Sequence, residues 1–244
     1  MSDLATIMWK EWRSTFAGRA RRQVLLVGGM LAFWAVAFPI QMGSDWVTDP
    51  VPIALFGIAM PVVMVGIIVP DAIAGERERH TLRTLLASRL PDRAILYGKL
   101  TFAVAFGWLA APLILAIALV TVNIAAGADR LLLYDPGVLV SVLVAGLLVS
   151  VLTGGIGTFV SLRARTAQEA QQVTVFAMML PMMVITAAAF VLVGNPQARA
   201  FLEWLGSDGA RYVGPAAMLL LALVDVVVIW AADRRFRRGR LIVA

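Results

Sequence analysis

Six long apolar stretches alternate with short charged ones along the chain. The pattern predicts membrane spans at 23–44, 50–71, 98–126, 136–162, 172–194 and 212–232. Each reaches the ~20 residues that a helix needs to cross ~30 Å of hydrocarbon. None shows the ten-residue apolar–polar alternation of an outer-membrane barrel strand. The expected fold is an all-α integral membrane protein, with six transmembrane helices in a single domain over residues 1–244.

Three connecting segments have patterns of their own. Residues 3–22 place Leu4, Ile7, Met8, Trp12 and Phe16 three and four apart, with basic residues filling much of the remainder. That is one face of a helix, and the expectation is an amphipathic helix lying along the membrane interface. Residues 75–93, GERERHTLRTLLASRLPDR, are densely charged, yet Leu82, Leu85, Leu86 and Leu90 form a narrow apolar stripe at helical spacing. Pro91 is expected to stop that helix, because proline disfavours helical geometry in the residue before it. Such a helix suits a groove in a partner; otherwise the segment is a solvated loop whose arginines anchor topology. The outer loop at 195–211 carries Phe201, Leu202, Trp204 and Leu205, a small amphipathic group suited to the outer interface.

Composition narrows the class. The chain is 61% hydrophobic, well above a soluble domain, and its formal charge is +6. Of the 21 basic residues, 18 fall on one side if the amino terminus is cytoplasmic; only Arg130, Arg199 and Arg211 fall outside. That bias predicts both termini in the cytoplasm and a home in the cytoplasmic (inner) membrane. It also accounts for the positive charge through the lipid bilayer, so no nucleic-acid partner is expected. Val24–Trp34 followed by Ala35–Ala37 has the form of a signal-peptide core, but Asp3 and Glu11 in the long preceding segment argue against cleavage.

Candidate chemistry is sparse. There is no cysteine, which excludes disulfides, thiolate nucleophiles and iron–sulfur ligation, and the one histidine is His80. No Gly-x4-Gly-Lys-Ser/Thr loop is present: Gly98-Lys99 is followed by leucine and lacks the upstream glycine. The chain is therefore not expected to be an enzyme, and no cofactor is expected on it. Asp225 stands inside the sixth predicted span, where a charge is costly and faces protein or water. It either belongs to a translocation path, or pairs with a serine, threonine or arginine, or carries a proton. Ser150, Gly154 and Thr158, with Gly157 and Ser161, make a small-residue stripe for helix packing, within the chain or across a dimer seam.

The stretch AGERERHTLRTLLASRLPDRAILYGKL resembles the first cytoplasmic connection of the ABC-2-type permeases, the membrane subunits of a class of ATP-binding-cassette exporters. The matching positions are Gly75, Glu76, Thr81, Leu82, Leu85, Leu86, Ser88, Pro91, Gly98 and Lys99. His80 departs from the pattern, since that family usually carries glycine just before the threonine, and this leaves the start of the helix open. SLRARTAQEAQQVTVFAMMLPMM is similar to the second cytoplasmic connection of the same family. The resemblance implies a coupling helix in 75–93 that seats in a cleft of a separate ATPase subunit, which would hold ATP and Mg. Its contacts would come from Gly75, Glu76, Arg77, Arg79, Thr81, Leu82, Leu85, Leu86, Ser88 and Pro91. It further implies a second permease chain, identical or paralogous, and export of a substrate. The rival expectation is an ion-coupled secondary transporter or channel using Asp225.

Overall fold

The computed structural model describes residues 3–17, 19–81, 90–126, 131–193 and 210–236. Regular structure among them is helical, with no strand. In chain order the helices are α1 (Asp3–Ala17), α2 (Arg19–Met42), α3 (Asp45–Thr48) and α4 (Pro50–Pro70). Helix α4 runs on through a π-helical turn, Asp71–Gly75, into α5 (Glu76–Glu78). Then follow α6 (Asp92–Ala126), α7 (Pro136–Ser161), α8 (Ala167–Val193) and α9 (Ala210–Arg235).

Five helical stretches are long and apolar enough to cross a membrane: Val24–Met42, Pro50–Glu78, Asp92–Ala125, Pro136–Ser161 and Arg211–Arg235. The span expected at 172–194 falls on α8, a helix of 27 residues that is not among those five. The leucine-bearing residues Leu82, Leu85 and Leu86, with Ser88, lie outside the described residues, as does nearly all of the outer loop expected at 195–211.

Two helix starts are written in Asp-Pro pairs. The Asp49 carboxylate accepts from the Val51 amide at 2.9 Å, and Asp135 accepts from Val138 at 3.0 Å. In each case proline follows as the first helical residue, where its missing N–H costs nothing and its fixed φ suits the helix.

Helix α4 is the hub, packing against α2, α6, α7 and α8. Its closest seam is with α7. A Cβ at Gly146 would lie 2.5 Å from the Gly57 carbonyl oxygen, and one at Gly57 would lie 2.1 Å from Val142 Cγ1. Only glycine lets the two backbones approach so closely, which is how membrane helices gain contact without a hydrophobic driving force. The small-residue stripe on α7 is buried inside the chain: Ser150, Gly154, Gly157, Thr158 and Ser161 all face the bundle. The hydroxyls of Ser150, Thr158 and Ser161 each donate to the carbonyl four residues earlier.

Helix α9 packs on α7, where Gly155 makes room for Val228. The rest of its surface is exposed and apolar, including Leu219, Leu220, Leu223, Val226 and Val227, as a lipid-facing helix requires. At the end of the bundle that carries α3, Trp46 is buried and donates through Nε1 to the Tyr134 hydroxyl at 3.0 Å. Tyr134 in turn donates to the Leu115 carbonyl at 3.0 Å.

Candidate functional site

The opposite end of the bundle holds most of the described charge–charge contacts, and the elements there explain why. Proline at 70 leaves the helix one donor short, and the chain widens into the π-helical turn 71–75 before resuming as α5. Gly75 lies inside that turn. A Cβ there would stand 2.7 Å from Asp71 Oδ1 and 2.9 Å from Arg79 Nη2, so glycine leaves space for the Asp71–Arg79 ion pair, which closes at 3.3 Å.

Helix α5 then ends in a Schellman cap. The Thr81 amide donates to the Glu76 carbonyl at 2.9 Å, and the His80 amide donates to Arg77 at 3.0 Å. The motif requires a left-handed residue at the position of His80, whose φ is +58°. Glycine fits that conformation without cost, which gives a physical reason for the glycine usual there in the ABC-2 pattern. The departure marks the end of one helix rather than the start of the next. Pro91 directly precedes α6, and its carbonyl accepts the Ile95 amide at 3.2 Å; the helix it was expected to stop lies outside the described residues.

The two charged residues between Glu76 and Arg79 hold the neighbouring connection, 162–166. The Arg77 guanidinium donates to the carbonyls of Leu162, at 3.3 Å, and Ala164. Glu78 accepts from the Ala167 amide at 3.2 Å. A cation thus sits at the carboxyl end of α7 and an anion at the amino end of α8, the arrangement that helix dipoles favour. Thr166 and Glu169 add a capping interaction: Thr166 Oγ1 accepts the Glu169 amide at 3.1 Å, and Glu169 accepts the Arg165 amide at 2.9 Å.

Beneath these lies a cluster of four charges, three of them buried. Lys99 Nζ donates to Glu11 at 2.7 Å and to the Ala72 carbonyl at 2.7 Å, and stands 3.0 Å from Glu76 Oε1. Lys10 pairs with Glu11 at 3.1 Å and also with Glu76. The side chains of Lys99, Glu11 and Glu76 are only 3%, 4% and 8% exposed, so the charges are compensated by each other rather than by water. Burial opposes the charge on Glu11, but Lys99 and then Lys10 outweigh it and hold the carboxyl below its ordinary value. Burial likewise works against the charge on Lys10, yet Glu11 and Glu76 raise it above its ordinary value.

The cluster changes the reading of α1. Its buried stripe is Ile7, Glu11 and Thr15, whereas Trp12 of the expected apolar face is 47% exposed and Trp9 is 59% exposed. Ile7 fits against Gly98, where a Cβ would lie 2.7 Å from Ile7 Cγ2. One helical turn later, Glu11 meets Lys99. The Gly98-Lys99 pair is thus the seat of α1, and Glu76 of the Gly75-Glu76 pair completes it. Glu76, Arg77 and Arg79, expected at a partner contact, make contacts within the chain. Arg79, His80, Thr81 and Pro91 are exposed at the same end.

Sequence reasoning singled out Glu76 and Lys99 but missed Glu11 and Lys10 as their partners. The available signal was the Lys10-Glu11 pair one helical turn after Ile7.

Asp225 lies apart from this end, one helical turn before Val228, which packs against Gly155 of α7. It is 4% exposed, and neither carboxylate oxygen has a hydrogen-bond partner among the described residues. The expected pairing with serine, threonine or arginine is not made among the described residues. Helix α7 offers no titratable side chain, and the hydroxyls of Ser150, Thr153 and Thr158 all donate along their own helix.

A family model described as ABC-2 family transporter protein matches residues 50–207. The chain belongs to that family. It is a multi-pass integral membrane protein and an ABC-type permease, a membrane transport component rather than a catalyst, and the family implies an ABC ATPase partner. No curated protein matches the chain.

Proposed function

We propose that this chain is the membrane subunit of an ATP-driven exporter in the bacterial inner membrane, with α8 as its sixth span and both termini in the cytoplasm. The observation that carries this reading is the base of the first connection. Residues 71–81 are braced on both flanks, by Lys99 and α1 on one side and by the 162–167 connection on the other. A loop that only anchored topology would need no such bracing. A loop that receives a push does, because force enters the spans only through a stiff base.

In this reading residues 79–91 present the docking surface. Leu82, Leu85 and Leu86 fill a cleft of the ATPase, with Ser88 and Pro91 beside them, while Arg79 and Thr81 contribute to the rim. Apolar anchors hold such a contact and charged rims guide it. Gly75, Glu76 and Arg77 act from beneath, by fixing the shape of the base. ATP and Mg bind the partner, and a second permease chain completes the translocation path. Asp225 faces that path.

The test is a pull-down of the tagged chain from its native membranes in mild detergent, beside a Leu85→Asp/Leu86→Asp variant. An ABC ATPase is expected with the wild type and not with the variant. Recovery of the chain without an ATPase would overturn the reading. It would favour the alternative, an ion-coupled carrier, for which the buried and unpartnered carboxylate of Asp225 is the specific support.

A further inference from the structure

The four-charge cluster does more than neutralise itself. Lys99 reaches three elements at once: Glu11 on α1, Glu76 on α5 and the Ala72 carbonyl inside the π-helical turn. Two of these contacts are hydrogen bonds, to Glu11 and Ala72, and the third, to Glu76, is an ion pair. The turn it grips is where the second span is most easily bent, since a π-helical turn breaks the regular ladder of the helix. Without a brace, movement of residues 79–91 would be absorbed at 71–75 and never reach α4. With Lys99 in place, the turn is tied to α6 directly and to α1 through Glu11. Ile7 in the Gly98 gap supplies the apolar half of the same joint.

We propose that Lys99 is a positioning residue for energy coupling, making the loop base, α6 and the interfacial helix α1 move as one body when an ATPase presses on residues 79–91. The proposal rests on the reading that an ATPase docks there. It adds that α1 lies in the path of the force, not merely on the membrane surface. Lys10, half exposed and paired with both carboxylates, secures α1 from the outer side of the cluster.

The chain has no native cysteine, so spin-label pairs can be introduced without background. One pair, Arg13→Cys with Thr81→Cys, lies within the proposed body. The other, Arg13→Cys with Leu131→Cys, relates α1 to the far end of the bundle. Both are measured in the reconstituted permease–ATPase complex, nucleotide-free and trapped with ATP and vanadate. The neutral variant Glu11→Gln/Glu76→Gln/Lys99→Met removes the ionic joint while leaving no buried charge unpaired, and its thermal transition verifies folding.

In the wild type the Arg13–Thr81 distance is expected to stay constant on trapping while the Arg13–Leu131 distance shifts. In the neutral variant the ATPase still binds, the Arg13–Leu131 shift is lost, and the Arg13–Thr81 distance changes instead. A wild-type Arg13–Thr81 distance that changes on trapping overturns the proposal by itself, as does a wild-type Arg13–Leu131 distance that does not. A neutral variant that behaves as wild type also overturns it. Failure of the ATPase to bind at all would instead defeat the reading beneath it.

Discussion

His80 shows how much one position can explain. Its φ of +58° is forced by the cap that ends α5, and a side chain in that conformation costs ~1 kcal/mol or more. His80→Gly is therefore expected to raise the stability of the purified chain by about 1 kcal/mol, and His80→Val to lower it, in thermal denaturation monitored by circular dichroism. Lys99→Met carries the opposite sign. It strands two buried carboxylates with only half-exposed Lys10 beside them, and a loss of ~3–5 kcal/mol is expected. The neutral triple variant should recover most of that loss, because the cost comes from unpaired charge rather than from missing bonds. Asp225 has no hydrogen bond to lose among the described residues. Asp225→Leu is expected to stabilise the chain by ~1–3 kcal/mol in the same assay, since a buried polar group without a partner is a net cost. A lower transition temperature would mean that Asp225 is paired after all.

Glycine seams and the docking of α1 set the behaviour of whole elements. Gly146→Ala would push a methyl group into the Gly57 carbonyl of α4, and backbone cannot swing aside as a side chain can. Separation of α4 from α7 and a loss of ~1–3 kcal/mol are expected, whereas Gly29→Ala, with nothing within 4 Å, should be neutral. Attachment of α1 has a pH window whose sign follows from the shifts. Glu11 lies below its ordinary value, so its contribution is present above that value and is lost as pH falls through the depressed one. Lys10 lies above 10.5, so its contribution is present below 10.5 and is lost as pH rises further. A spin label at Arg13→Cys should accordingly stay immobile across neutral pH and loosen only at the two extremes.

These elements also show what the sequence could and could not disclose. Five of the six expected spans were legible because hydrocarbon thickness fixes their length, and small residues at a spacing of four were legible as packing positions. Whether that packing lay inside the chain was not, because spacing does not say which neighbour fills it. The polar seat of α1 was hidden for a related reason. Glu11 reads as a solvated residue until Lys99, 88 positions away, is brought to it. The extension of the second span to Glu78 was hidden as well, since Pro70 reads as a helix end and the π-helical turn carries no sequence mark.

At the scale of the whole molecule, one end of the bundle is built as a braced charged platform and the other around the buried Trp46–Tyr134 contact. A permease driven by a separate ATPase needs the first kind of end on the side where ATP is. The most direct measurement places a photoreactive residue at Thr81 or, in a parallel sample, at Thr48, both exposed and at opposite ends, and irradiates native membranes. The account predicts that Thr81 captures an ABC ATPase subunit, identified by mass spectrometry, and that Thr48 does not. No ATPase at Thr81, or equal capture at Thr48, would contradict it.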